Sequence, residues 1–535
     1  IEILYQDDND GDSKKRCISM TEHDIEGSSL DTIASDTPSE EPASHAINGN
    51  LRQKGLDIVP TREERLGTII AYGGNCQGLL KGCNRKCPKH QERSFSQSGP
   101  CDEMMPLLNS AMINGNVVIA HSPAGCPSMI DAVYLLNKIG RLGRNQPIEP
   151  VRFISTNLSE NDVVFGGATE LGKAIIEADK RYNPNLVTVI TSCASGIIGD
   201  NIEAVVNAVQ PQVKAAIVPM RCEGFRSGAV ATGYDAFLYA LLKVIQKPQV
   251  TRENTILIVD PLTIDRKNEV EIERLLSKVG ISVQWFPLFQ DFESIKRAGE
   301  ATGASTLCNL MSNFFLRALD ERYDVPFTEP PMPVGIEYTN WWLRDVAKLF
   351  GKQDEIEKVI AEEVARIRPK LDEIRRQVEG KRVYVGFNLA RSVGVQSLLL
   401  ELGIDTAVTT GFEYSDDYGQ APLENLSRRS KDFLVQIGNF QQFEWTNLFH
   451  KEKPDLLVGG QEHSGWALRD GIPVTALLPD TFYVGYEGAV SFAKEITKSL
   501  RNPSFANNIS KRVKQPYKES WYSQDPFKYI GGDGK

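Results

Sequence analysis

Seven short runs of β-branched and other apolar residues recur from Asn116 onward, and they constrain the fold more than any other feature of the chain. They are NVVIA (116–120), LVTVI (186–190), KAAIVP (214–219), TILIVD (255–260), RVYVGF (382–387), DLLVGG (455–460) and PVTALL (473–478). Each run is continuous rather than alternating, the pattern of a strand buried on both faces of a parallel sheet. Amphipathic stretches separate them, for instance DNIEAVVNAVQ (200–210) and VQSLLLELG (395–403). Strand–helix alternation of this kind predicts an α/β fold of doubly wound parallel sheets. The segment 354–382 reads as one long charged helix connecting two sheets. Boundaries near 250 and 380, together with an extension before the first domain and a tail after the last, divide the chain into five parts. An acidic, low-complexity extension covers 1–60, α/β domains cover 61–250, 251–380 and 381–505, and a tail covers 506–535.

Charge and cysteine usage narrow the function. The net charge is −10, and residues 1–50 hold 12 Asp/Glu against 3 Lys/Arg, so the rest of the chain is nearly neutral. A basic nucleic-acid footprint is therefore missing. The first 50 residues have too little apolar surface to order themselves and read as a solvated tail. No run approaches the roughly 20 apolar residues of a membrane span. The opening IEILYQDDNDGDSKKR is acidic where a secretion signal is basic and then apolar, which makes the cytoplasm the expected compartment. The cysteines are Cys17, Cys76, Cys83, Cys87, Cys101, Cys126, Cys193, Cys222 and Cys308. An odd number in a large chain argues against a disulfide framework and raises metal ligation or redox chemistry.

Several of these residues fall where open α/β sheets bind ligands, at the carboxyl ends of strands. Cys126 follows VVIAHSPAG, Cys193 follows LVTVITS, Cys222 follows AAIVPMR and Arg391 follows VYVGFNLA. Thiolates in such turns are expected to meet backbone N–H groups and helix N-termini, which favour negative charge. An anionic sulfide-bridged cluster gains from the same surroundings. In LCNLMSNFFLRALDERYDVPF (307–327), Met311, Phe315 and Leu319 form a helical stripe that begins at Cys308 and is closed by Asp324-Val325-Pro326. On its own, Cys308 there reads as a buried small hydrophobe. Cys76, Cys83 and Cys87 form C-x6-C-x3-C, which could hold a metal but lacks the paired C-x2-C of common zinc sites. No G-x4-G-K-[ST] phosphate loop is present.

Specific blocks carry a resemblance. AHSPAGC (120–126), NLSENDVVFGGATELGKAI (157–175), TSCASGIIGDNIEAV (191–205), VPMRCEGFRSG (218–228), the stretch at Cys308, GFEYSDDYG (411–419) and GIPVTALL (471–478) occur in that order. Together they resemble the α subunit of nitrogenase component 1, over about residues 60–505. The resemblance implies three Rossmann-like domains with metalloclusters between and beneath them. It implies that Cys101, Cys126 and Cys193 ligate this chain's part of a P-cluster-type [8Fe-7S] cluster shared with a homologous β subunit in an α2β2 heterotetramer. Cys308 matches the cysteine that holds one end of a large iron–sulfur cofactor, either FeMo-cofactor-like or like its all-iron precursor. Cys222 matches a family cysteine that is not a ligand. Electrons would come from a homodimeric iron–sulfur reductase that carries the ATP and magnesium. The tail 506–535 is expected at a subunit interface.

Departures from the family pattern point to a changed substrate. Leu478 stands near the place of the histidine that anchors the other end of the nitrogenase cofactor. Val230 and Tyr234 replace a Gln and a His beside it, and Glu462 replaces a lysine that helps hold homocitrate. A tyrosine can donate one hydrogen bond, but its pKa of about 10 makes it a poor proton shuttle. Arg391 is retained and could stabilise cluster charge, and His463 is a candidate cofactor neighbour. The expected activity is that of a nitrogenase-like reductase, with C–S bond cleavage of small methylthio-alkanes as the best match, and with Val230, Tyr234, Arg391 and His463 lining the site. A scaffold for cofactor assembly is the alternative, and an authentic nitrogenase α subunit comes third.

Overall fold

The computed structural model describes residues 59–84, 93, 101–261 and 265–530. The acidic extension, Cys17 and Cys87 lie outside them, as does the side chain of Cys83. The strands are β1 (Tyr72–Asn75), β2 (Asn116–His121), β3 (Arg152–Ser155), β4 (Leu186–Thr191), β5 (Ala216–Met220), β6 (Arg252–Asp260) and β7 (Ser282–Pro287). They continue with β8 (Ala301–Thr306), β9 (Arg382–Gly386), β10 (Asp405–Gly411), β11 (Leu434–Ile437), β12 (Leu456–Gly459) and β13 (Val474–Ala476).

These strands form three sheets, ordered β3-β2-β4-β5, β7-β6-β8 and β1-β11-β10-β9-β12-β13. Every pairing is parallel except that of β1 with β11. All seven strands read from the sequence are present, and the α/β reading holds. The continuous runs are explained by burial on both faces: every residue of β2 and of β4 is buried. Two of the strands that periodicity misses, β8 (ATGAST) and β10 (DTAVTTG), carry few large apolar side chains. The hydrophobic pattern therefore does not mark them, although β10 is rich in β-branched Thr and Val.

In each sheet the strand order reverses beside the first parallel strand. The reversal falls between β2 and β4, between β6 and β8, and between β9 and β12. Such switch points open a crevice at the carboxyl ends, because the following loops turn to opposite faces. The three crevices hold the residues that matter below.

The long helix is Gln353–Val378, and it contains Pro369. Its stripe of Ile356, Val359, Ile360, Ile367, Leu371, Ile374 and Val378 is buried in a core that also holds Ile256 and Ile258 of β6 and Val383 and Val385 of β9. It thus connects the second and third sheets by packing into a core that both share. The helix after Cys308, Asn309–Tyr323, departs from the expected single stripe, because ten of its side chains between Asn309 and Leu319 are buried. Polar Asn309, Ser312 and Asn313 are enclosed with the apolar residues, since the helix is covered on several sides. Asp324 ends it in the left-handed region at φ 56°. Among the described residues, no helix is long and apolar enough to cross a membrane.

Candidate metallocluster sites

The first crevice gathers three thiols. β2 leads into the short turn Cys126–Met129, and β4 leads into the helix Cys193–Ile198. Ser192 caps that helix through the backbone N–H of Ser195, which fixes Cys193 at its first position. Cys101 precedes the helix Met104–Ala111. Cys101 and Cys126 are exposed and Cys193 is half-buried. Gly224 lies between two of them: a Cβ there would stand 2.7 Å from Cys101 Cβ, 3.4 Å from Cys101 Sγ and 3.6 Å from Cys193 Sγ. Cys222, two residues earlier, is buried, with its Sγ 3.6 Å from the Thr191 carbonyl. It is a packed thiol behind the crevice.

The electrostatics differ from the expectation that helix termini lower the thiols. Burial pushes the Cys126 thiol up to about 11, and the neighbouring Glu103 adds to that. Cys101 is raised for the same first reason, although backbone amides pull the other way. Metal binding can overcome such a rise, because ligation itself expels the proton. Among the described residues, no three His, Cys, Asp or Glu side chains are grouped so as to hold a single metal ion. Three thiols around a glycine-lined space, partly open to the surface, suit a polynuclear cluster. Exposed Val164, Phe165, Ile197 and Phe225 flank it, on the helix Glu160–Phe165, on the helix of Cys193 and beside Gly224. Behind the thiols, His121 Nε2 lies 2.9 Å from Asp200 Oδ2 and ties the end of β2 to the Asp200 turn.

Cys308 stands at the second crevice, just past β8. Its backbone N–H donates to Thr306 Oγ1 at 2.9 Å, and Thr306 Oγ1 donates to the Val259 carbonyl at 2.8 Å, which sets the turn. Val230, Tyr234, Met311 and Tyr418 pack in the same buried cluster as Cys308. Val230 precedes the helix Ala231–Leu241, every residue of which is buried. Burial pushes the Cys308 thiol up to about 11, while the Arg391 guanidinium opposes the rise. Burial also raises Tyr234, which stays a neutral donor. Arg391 is fully buried on the helix Leu389–Glu401, its guanidinium carbon 5.3 Å from the Phe387 ring centre and 5.9 Å from that of Tyr483. The donors suit an anionic group on sulfur. The space does not: Cys308 is 0% exposed. A narrow cleft beside Tyr418 and Asn309 has a volume of about 10 Å³, the size of one water. A large cofactor requires Tyr234, Met311 or Tyr418 to move aside.

His463 does not join this cluster. Its ring stacks on Trp445 at 3.7 Å between centres, beneath the third sheet with Tyr384. Gly386 makes room for it, since a Cβ there would lie 2.7 Å from His463 Cδ2. Both ring nitrogens are buried without a hydrogen bond, and Nδ1 is 3.5 Å from Glu462 Oε1. Leu478 lies on a turn closed by Thr481 Oγ1, which accepts its N–H at 2.8 Å. Cys76 is a core residue packed against Leu79, Tyr338 and Leu389, and burial pushes its thiol up to about 12.

Sequence reasoning missed Glu103, Gly224, Tyr418 and the buried ion network of Arg62. Gly224 and Tyr418 lie inside blocks that carried the resemblance, RCEGFR and YSDDYG, and could have been noticed there. Arg62 Nε lies 2.9 Å from Asp235 Oδ2 and Nη1 lies 3.3 Å from Glu413 Oε1. Its Nη2 also donates to the Leu310 carbonyl, on the helix that follows Cys308. No local signal marks an arginine whose partners are 173 residues or more away.

The sequence model of the family described as nitrogenase component 1 type oxidoreductase matches residues 101–501. The nitrogenase molybdenum-iron protein alpha chain of Methanococcus maripaludis is 26% identical over 474 residues, covering 84% of this chain and 96% of that protein. The nitrogenase iron-molybdenum cofactor biosynthesis protein NifE of Methanosarcina barkeri is 27% identical over 473 residues, covering 84% of this chain and 97% of that protein. Among solved structures, nitrogenase Cp1 at pH 5 superposes with a TM-score of 0.64 at 20% identity, over 80% of this chain and 93% of that one, which shows a shared fold.

Proposed function

This chain belongs to the nitrogenase component 1 type oxidoreductase family, and we propose that it is the α subunit of a reductase that cleaves the C–S bond of small methylthio-alkanes. The observation that carries this reading is the packing of Val230 and Tyr234 in one buried cluster with Cys308. An apolar wall and a neutral hydroxyl donor suit a thioether better than a group that needs a proton shuttle.

Cys101, Cys126 and Cys193 would hold this chain's part of an [8Fe-7S] cluster shared with a β subunit, and Cys308 would hold one end of a larger iron–sulfur cofactor once Tyr234, Met311 or Tyr418 has moved aside. When bound, that cofactor supplies the electrons and the metal surface for substrate reduction. Arg391 offsets the negative charge that gathers at Cys308. Val230 excludes water, and Tyr234 donates a hydrogen bond. The flanking apolar residues Val164, Phe165, Ile197 and Phe225 suit a face covered by a partner subunit or by the ATP-dependent reductase. With dimethyl sulfide the reaction breaks one C–S bond, consumes two electrons and two protons, and releases methanethiol and methane; with 2-(methylthio)ethanol the same electrons and protons release methanethiol, ethylene and water.

A second reading, a scaffold for cofactor assembly, is supported by Leu478 at the place of an anchoring histidine and by near-equal identity to both kinds of relative. One experiment separates the two. The chain is purified anaerobically with its β partner and supplied with its reductase, ATP and dimethyl sulfide or 2-(methylthio)ethanol. Iron is counted, and methanethiol and hydrocarbon are followed by gas chromatography. Product with high iron supports the reductase. High iron without product, but with cofactor that can be transferred to a cofactor-free nitrogenase, supports the scaffold.

A further inference from the structure

We propose that Glu103 is a fourth donor from this chain to the iron–sulfur cluster, adding a carboxylate oxygen to the three thiols. The inference rests on the reading of Cys101, Cys126 and Cys193 as cluster ligands.

Glu103 lies two residues after Cys101, at the start of the helix Met104–Ala111, yet its side chain makes no capping bond to that helix. It is 4% exposed. Its carboxyl lies beside the Cys126 thiol, so it reaches toward a second of the three sulfurs. Oε1 is buried with no hydrogen-bond partner. The salt bridges among the described residues include none to Glu103. Enclosing an ionisable carboxyl without a helix cap or a cation costs free energy, and one of its oxygens finds no protein partner. A buried polar group left in that condition calls for an explanation, and a ligand bound at the site is one. The ligand class follows from the donors: a carboxylate oxygen is a hard donor that iron accepts alongside softer thiolates. On cluster binding, the thiol and carboxyl protons leave to solvent and iron–oxygen and iron–sulfur bonds replace them. An anionic oxygen donor stabilises the more oxidised cluster, so it lowers the midpoint potential.

The test uses the anaerobically purified complex with its β partner. Iron per complex, the Mössbauer spectrum and a redox titration monitored by electron paramagnetic resonance are recorded for the natural chain, Glu103→Gln and Glu103→Asp. The expected result is that Glu103→Gln keeps the fold but shifts the midpoint potential upward and loses the Mössbauer signature of one iron site. Glu103→Asp, which keeps the carboxylate, restores both in part. If Glu103→Gln sheds iron altogether, retention of iron by Glu103→Asp supports the proposal. Loss from both variants overturns it. Natural iron content, spectrum and potential in Glu103→Gln also overturn it and leave the three-thiol reading standing. A natural complex without iron overturns both.

Discussion

Gly224 and Cys101 stand so close that a Cβ on the glycine would lie 2.7 Å from Cys101 Cβ. The space between Cys101 and Cys193 therefore depends on a missing side chain. Gly224→Ala should force the Cys101 thiol out of place and weaken metal binding on the order of 10–100-fold, the usual cost of disturbing the residues behind a metal ligand. Iron per purified complex and the visible absorbance of the cluster check this. Natural iron retention in Gly224→Ala would remove the spacing argument.

Val230 and Tyr234 pack in one buried cluster with Cys308. Val230→Gln places an amide in apolar surroundings and should raise KM for a thioether by about tenfold, or roughly 1.4 kcal/mol. Tyr234→His should change the pH profile, because an imidazole titrates near neutrality and the buried tyrosine does not. Unchanged thioether kinetics in both variants would exclude these positions from the pocket.

Arg62 anchors the short helix Arg62–Leu66 beside the Cys308 site, with side chains that are 0% exposed for Arg62, 1% for Asp235 and 0% for Glu413. Arg62→Ala leaves Glu413 buried without its cation and Asp235 with Arg65 alone. A loss of about 3–5 kcal/mol follows from stranding buried charge. Denaturant unfolding of the complex measures it. A loss below about 1 kcal/mol would mean that the network opens to water.

Glu401 accepts the backbone N–H groups of Ile336 and Glu337 at 2.9 and 3.0 Å, at the start of the helix Gly335–Leu349. Burial nonetheless raises its pKa to about 7, above the ordinary carboxyl range. The folded state thus holds this proton more tightly than the unfolded chain. Its contribution is greatest below about pH 4 and declines as pH rises through 7. Glu401→Gln removes the titration, so between pH 5 and 8 the Tm of the natural chain should fall relative to that of the variant. Thermal scans across that range decide it, and parallel curves would contradict the assignment.

Much of the framework was legible because it is written locally. The seven continuous runs are strands, Cys126, Cys193 and Cys308 stand where the chain leaves a strand, and Arg391 lies in the first turn of the helix that follows β9. Strand ends read from periodicity are enough to place a residue at a crevice. What periodicity cannot show is which face of a sheet a turn residue reaches. His463 illustrates it: it follows β12 as expected, but its helix lies beneath the third sheet, and its ring packs on Trp445 rather than beside Cys308. β1 is a second case, since its partner β11 is more than 350 residues away and antiparallel.

The sequence by itself determined the α/β class, the order of the strands along the chain and the positions of the candidate ligands, because hydrophobic period and turn chemistry act over a few residues. Only the tertiary structure decided which ligands meet. It placed Gly224 between Cys101 and Cys193, enclosed Glu103 beside Cys126, buried Arg62 between Asp235 and Glu413, and closed Cys308 beneath Tyr234 and Tyr418. Each of these follows from the order of strands across a sheet and from the packing of one sheet's loops on another, long-range relations that no local pattern encodes.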